Sequence, residues 1–147
     1  MSGGTSLDEG VTLMGLNLAG FVPLLQVFDM PRSVAFYRDV LGFEVVAQSE
    51  PGDDFDWGML RRDTMLLMLN TAYEKNHRPA APDPDRTAAH DDTALFFDCE
   101  DPDAAYAYLC EKGVSAKPSV VTDYGMKQVY VADPDGYRLC FQCQAAG

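Results

Sequence analysis

Apolar and polar positions alternate, shift to helical spacing and alternate again, and this order occurs twice along the chain. Residues 21 to 28, FVPLLQVF, read as a strand. Asp29-Met-Pro31-Arg-Ser33 then reads as a helix start, with Asp29 or Ser33 as the cap and Pro31 tolerated in the first turn. Val34, Tyr37, Val40 and Leu41 follow at helical spacing, and Gly42 ends the helix before a strand run from Phe43 to Gln48. In the second half Leu95 to Cys99 reads as a strand, and Asp101-Pro102-Asp103 opens a helix with Ala104, Ala105, Tyr108 and Leu109 on its apolar side. Gly113 ends that helix, and a strand is expected to begin near Val114. Asp29 lies 13 positions before Gly42 and Asp101 lies 12 before Gly113, so the two units read as a duplicated module.

Each half supplies two further strands. In the first they run from about Asp54 to Leu60 and from Thr64 to Asn70, joined by Arg61-Arg62-Asp63. In the second they run from about Lys127 to Val131 and from Tyr137 to Gln142, joined by Asp133-Pro-Asp-Gly136, where Gly136 supplies any positive φ. The pattern predicts an α+β fold of two βαβββ modules at residues 21–75 and 93–143. An N-terminal arm (1–20), a linker rich in Pro, Ala and Asp (76–92) and a C-terminal tail (144–147) complete the chain. Pro23, Leu25 and Val27 should face one way and Val22, Leu24 and Gln26 the other. Leu95, Phe97 and Cys99 should likewise oppose Ala94, Phe96 and Asp98. The apolar sets suit packing under helices; the mixed sets, which include Asn70, Gln128, Arg138 and Gln142, suit either a ligand cavity or a solvated face.

Charge narrows the partners. With 11 basic and 23 acidic residues the formal charge is -12, which argues against a nucleic-acid backbone as partner. A locally basic pocket remains compatible with that balance. Apolar stretches such as Val11 to Phe28 are broken by Asn17, Gly20, Pro23 and Gln26, so no bilayer span is expected. The N-terminus lacks the basic region and apolar run of a signal peptide, which leads to the expectation of a cytoplasmic protein with reduced thiols. Cys140 and Cys143 have CxxC spacing, yet residues three apart on a strand face opposite sides, so burial as small hydrophobes is the better reading for most of the four cysteines.

The segment Asp29-Met-Pro-Arg-Ser-Val-Ala-Phe-Tyr-Arg-Asp-Val-Leu-Gly-Phe43 resembles the first-module signature of the vicinal oxygen chelate superfamily, which includes glyoxalase I, extradiol dioxygenases and bleomycin-resistance proteins. Asp101-Pro-Asp-Ala-Ala-Tyr-Ala-Tyr-Leu109, Gly113-Val114 and Asp133-Pro-Asp-Gly136 extend the resemblance over residues 21 to 143. The resemblance implies mixed sheets curved around a cleft, within a homodimer that exchanges modules in some relatives. It also implies where metal ligands would stand: His on the first strand of each module and a carboxylate on the last. Those positions match Val22 and Ala94 for the two His, Cys140 for the second carboxylate and Met68, within two residues, for the first. Val and Ala have no donor, and a thiolate with a thioether is unlike an oxygen- and nitrogen-rich site, so no metal and no cofactor are expected. His77 and His90, at the two ends of the linker with Asp83, Asp85, Asp91 and Asp92 nearby, match no compact ligand spacing.

No nucleophile with an activating base is visible around Ser33 or Ser119, and no glycine-rich phosphate loop is present. Asp133-Pro-Asp-Gly136 reads as a turn before a cation site. The positive signal is aromatic and polar. Trp57, the single tryptophan, alternates with Phe55 and Met59; Tyr73, Tyr124 and Tyr130 add amphipathic surface; Gln26, Gln128 and Arg138 supply directional polar groups. With Met68, Phe96 and Cys140 these define the expected ligand-binding set, against the plainer readings of Phe55, Trp57 and Met59 as core or dimer interface and Arg138 as an exposed charge. The working expectation is metal-independent binding or sequestration of an aromatic or amphipathic small molecule by a homodimer, as in the bleomycin-resistance branch. A divergent lyase, isomerase or oxygenase using Asp98 or Glu100 as base is the enzymatic alternative; an interaction subunit with a filled cleft is the third.

Overall fold

The computed structural model describes residues 15–146. The first module runs β1 (Leu24–Val27), helix α1 (Met30–Val34, continued as a π-helical segment Ala35–Val40), β2 (Glu44–Gln48), β3 (Trp57–Arg62) and β4 (Met65–Thr71). The second repeats it as β5 (Ala94–Asp98), α3 (Pro102–Glu111), β6 (Val120–Val121), β7 (Met126–Ala132) and β8 (Arg138–Gln144). Between them the Pro-rich segment forms a single 3-10 turn (Lys75–His77) and helix α2 (Pro84–His90), capped by the Asp83 side chain on the Asp85 N–H at 2.9 Å. The expected arm, as far as Met14, and Gly147 lie outside the described residues.

The helix starts form as their sequences predict. Asp29 and Asp101 each accept a first-turn N–H, from Arg32 at 3.2 Å and Ala104 at 3.1 Å, with a proline at the next positions. Ser33 is no cap; it is buried and turned toward the second module.

Strand order is β1-β4-β3-β2 in one sheet and β5-β8-β7-β6 in the other, with the first and last strand of each module parallel and the rest antiparallel. Both sheets are open four-stranded ribbons, so the curved sheets around a cleft implied by the family resemblance are not what this chain forms. Among the described residues four strands leave two edges of each sheet unpaired and are about half the number needed to close a small barrel. β6 is also only two residues long. The strand expected near Val114 begins at Val120, because Pro118 cannot donate to a ladder while Val114 and Ala116 turn their side chains against the core.

One continuous core joins the modules. Leu25, Val27, Leu60, Leu67 and Leu69 from the first sheet, Val129, Val131 and Leu139 from the second, and Met30, Val34, Tyr37 and Leu109 from the helices all pack into it. An aromatic path crosses the junction, from Tyr37 edge-on to Phe43 at 6.2 Å, Phe43 edge-on to Phe97 at 6.5 Å, and Phe97 stacked on Phe141 at 5.4 Å. Tyr108 in α3 adds a polar tie by donating to the carbonyl of Val40 at 2.6 Å.

The Asp133–Gly136 turn grips the first module. Its own geometry is closed by Gly136 N–H on the Asp133 carbonyl at 3.0 Å and by Asp133 Oδ1, which accepts from the N–H groups of Asp135 (2.8 Å) and Tyr137 (3.0 Å). Asp133 Oδ2 then accepts from the Tyr37 hydroxyl at 2.7 Å. Asp135 reaches further: Oδ1 accepts from the Phe28 N–H at 2.8 Å and from Arg86 of α2 at 3.3 Å, and Oδ2 accepts from Ser33 Oγ at 3.4 Å. His90, also from α2, lies flat on Tyr137 at 3.9 Å, with Nδ1 2.7 Å from the Asp135 carbonyl oxygen. Burial pushes the carboxyl of Asp133 up to about 6, against the pull of the Tyr37 hydroxyl, and raises that of Asp135; burial and the facing Asp133 raise the Tyr37 hydroxyl as well.

Gly136 has φ +88°, and a Cβ there would lie 2.6 Å from Thr87 Cγ2 and 2.7 Å from the Thr87 carbonyl oxygen. Gly136→Ala is therefore expected to cost about 2–3 kcal/mol, through backbone strain and displacement of α2. Gly113, at φ +82° with open space around it, should cost only about 1 kcal/mol on the same change. Equal losses for the two variants in urea unfolding would refute the close seating of α2 on the turn.

The pH dependence has a definite sign. Unfolded, Asp133 ionises near its ordinary 3.8; folded, it does so at about 6. Between those values the folded state holds a proton that the unfolded state has lost, so this group's contribution to stability falls as pH rises. Relative to Asp133→Asn, the wild type should lose about 2 kcal/mol between pH 4 and pH 7. Unfolding curves of the two proteins recorded at both pH values test this, and a constant difference between them would sink it.

Candidate functional site

The sheet registers turn the repeat into a superposition. Leu24, five residues before the Asp29 cap, pairs with Met68, which pairs with Met59; Phe96, five before the Asp101 cap, pairs with Cys140, which pairs with Tyr130. One step along, the row Gln26, Asn70, Trp57 corresponds to the row Asp98, Gln142, Gln128. These residues lie on the faces turned away from the core, since their neighbours Leu25, Val27, Leu67, Leu69, Val129 and Leu139 are buried in it. The two faces thus carry equivalent positions, and Met68 takes the place in the first that Cys140 takes in the second.

On the second face the side chains order one another. Gln128, only 6% exposed, donates to Gln142 Oε1 at 2.8 Å and to the Tyr124 hydroxyl at 3.3 Å. The guanidinium of Arg138 stacks 4.5 Å from the centre of the Tyr130 ring, and Phe96, 53% exposed, meets that ring edge-on at 6.1 Å. Cys140 is buried beneath them; burial raises its thiol above the ordinary range and so keeps it protonated, and burial together with Cys140 raises the Tyr130 hydroxyl. Gln128, Tyr130 and Arg138 border a surface cavity of about 710 Å³, completed by Asp91, the segment Ser115–Pro118, Val120, Val131 and Ala132.

On the first face Asn70 donates to Gln26 Oε1 at 3.3 Å, and half-buried Trp57, Met59 and Met68 lie alongside. Phe55 is separate. It precedes β3, is completely buried, and packs its ring against Gly58, so it shares no face with Trp57 and Met59. The expected binding residues therefore gather as two sets, Gln26, Trp57, Met59 and Met68 on one sheet and Phe96, Tyr124, Gln128, Tyr130, Arg138 and Cys140 on the other. The cavity residues Asp91 and Lys117 were outside the expected set. The signal that would have found them is Pro118, which delays the start of β6 and leaves that edge of β7 without a strand partner beyond Gln128 among the described residues.

Among the described residues no group of three or more His, Cys, Asp or Glu side chains is placed to hold a metal ion. Of the four positions that correspond to the metal ligands of relatives, Val22 and Ala94 have no donor, and Met68 and Cys140 offer only a thioether and a buried thiol. The donor set does not fit the oxygen- and nitrogen-rich centre. His77 is exposed, His90 is engaged with Tyr137 and Asp135, and all four cysteines are free. Asp98 and Glu100 are exposed. A second cavity, of about 380 Å³, lies at the module junction between Phe43, Met65, Phe97, Tyr108 and Phe141; it contains none of the expected binding residues but is bordered by Asp98 and Glu100, the candidate bases of the enzymatic alternative. No described helix is long and apolar enough to cross a membrane.

Comparison with curated proteins gives no match. Among solved structures, the bleomycin-binding protein of bleomycin-producing Streptomyces verticillus, in complex with copper(II)-bleomycin, is 24% identical; the match covers 90% of this chain and 100% of that one, with a TM-score of 0.59. An antibiotic binding protein from Streptomyces sp. CB03234 is 21% identical over 89% of this chain and 100% of its own, with a TM-score of 0.63. TioX from Micromonospora sp. ML1 is 17% identical over 86% and 98%, with a TM-score of 0.66. At these identities the likeness is one of fold. Residues 18–141 match the family itself, and on that match the chain belongs to the Glyoxalase/Bleomycin resistance protein/Dioxygenase superfamily.

Proposed function

We propose that this protein binds and sequesters a small aromatic or amphipathic molecule of the antibiotic kind, without a metal, in the manner of bleomycin-resistance proteins. The observation that carries the reading is the pair of matched rows on the two outward faces. Where metal-dependent relatives would place His and carboxylate ligands, this chain has Val22, Ala94, Met68 and Cys140, and around them aromatic and amide side chains already ordered by one another. Such groups bind by stacking and directional hydrogen bonds and leave bonds in the ligand intact. Two of the similar structures are described as binding bleomycin or an antibiotic, which supports the same reading.

Magnitudes favour a homodimer as the working form. A planar group that buries about 150 Å² of apolar surface on one open face gains about 4 kcal/mol, which corresponds to about millimolar affinity. Covering its other side with the face of a second copy would about double that gain and bring micromolar binding within reach. Exposed Leu24, Leu66, Phe96, Val120 and Tyr124 border the faces that such pairing would cover.

Titration of metal-free bleomycin, copper(II)-bleomycin and a panel of aromatic antibiotics, followed by Trp57 emission and calorimetry, tests the proposal. At least one compound should bind at about micromolar concentration to a dimer, survive prolonged incubation chemically unchanged, and bind about tenfold more weakly to Tyr130→Ala. A new product that accumulates with time, or no binding anywhere in the panel, would overturn it.

A further inference from the structure

β8 covers one side of β7 along its whole length, but β6 covers the other side only at Lys127 and Gln128. The Arg138 N–H donates to the Thr93 carbonyl at 3.0 Å, so even-numbered residues of β8 aim their main-chain groups at β5 and odd-numbered ones at β7. Their partners Val129 and Val131 aim back at β8. Tyr130 and Ala132 consequently direct N–H and C=O outward, past the end of β6, and find no main-chain partner there among the described residues. The cavity of about 710 Å³ opens on that edge.

Its charge runs against that of the whole chain. In a protein of net charge -12, Lys117 and Arg138 border this cavity with a single carboxylate, Asp91. Asp91 reaches Arg138 Nε only at 4.0 Å from a side chain that is 75% exposed, a pair worth little and readily displaced. The Tyr130 ring holds the guanidinium in place.

We propose that this cavity takes an anionic, peptide-like small molecule, an amide that bears a carboxylate. The amide extends the sheet by pairing with the open edge at Tyr130 and Ala132, and the carboxylate is received by Arg138 with Lys117 beside it. The proposal rests on the small-molecule reading of this face and names the chemistry the face selects. Val120, exposed at the cavity rim, supplies an apolar wall for the remainder of the ligand.

The test uses N-benzoylglycine and its primary amide, two probes that share ring and amide and differ in charge, titrated into isotopically labelled full-length protein at low ionic strength. The acid should shift the main-chain amide resonances of Tyr130 and Ala132 and bind about tenfold more tightly than the neutral amide. Arg138→Gln should reduce that preference to about twofold with the rest of the spectrum unchanged, and Lys117→Gln, on an exposed side chain that folding does not require, should reduce it in part. Equal affinity for the two probes, a preference retained in both variants, or shifts confined to residues away from β7 would overturn the proposal. Equal affinity at these amides would still leave small-molecule binding in place; failure of that wider reading would appear separately, as absence of any binder in the antibiotic panel or as product formation.

Discussion

Inside the core, the carboxylate of Asp135 accepts the backbone N–H of Phe28 at 2.8 Å, and on this contact between the halves of the chain the arrangement of both sheets depends. Asp135 has a fully buried side chain, and Arg86, 23% exposed, is its cationic partner. Removing one member of such a group strands the rest, typically at 3–5 kcal/mol, whereas an apolar replacement of the whole group can be neutral. The contact therefore acts through geometry more than through net energy. Phe28 is the residue between β1 and the Asp29 cap, so whatever holds its N–H sets where both the strand and α1 point. Tyr37 repeats the tie one helical segment later, through Asp133.

The same turn explains why the sheets lie open. Helices α1 and α3 and the Asp133–Gly136 turn occupy the inward sides, where Tyr37, Leu109, Val129 and Leu139 join one core. With the inward sides used for cohesion, the other face of each sheet has no partner sheet or helix among the described residues. Exposed apolar groups on those faces, such as Leu24 at 42% and Phe96 at 53%, follow directly from that division of labour.

Much of this was legible in the residues because the repeat is written in local chemistry. Asp caps, proline in the first turn and apolar spacing of 3.6 predict both main helices without reference to anything distant. What could not be read required knowledge of distant partners. Ser33 has the composition of a cap, but Asp135 lies 102 residues away in the sequence and takes its hydroxyl. Phe55 fits the alternation of Trp57 and Met59, yet it falls before β3 begins and fills the space that Gly58 leaves. The shortness of β6 is hidden in the sequence because Val114 and Ala116 resemble strand residues while Pro118 denies them a ladder. The register of Met68, uncertain by two residues from motifs alone, is set by its pairing with Leu24.

The two faces have diverged in a way the repeat makes measurable. Met59, Met68 and Trp57 on the first stand where Tyr130, Cys140 and Gln128 stand on the second. The first is a soft, polarizable surface whose unbranched thioethers conform to varied shapes. The second is a directional one, in which two glutamines are hydrogen-bonded to each other and an arginine is stacked on Tyr130. If the faces were redundant, divergence would have no consequence for a bound molecule. Brought together across two copies, they would be complementary, one side adapting to the apolar part of a ligand while the other dictates its orientation. The polar face also combines a positive cavity with a strand edge that has no main-chain partner among the described residues. Discrimination between ligands would therefore arise mainly on the second sheet and apolar affinity mainly on the first.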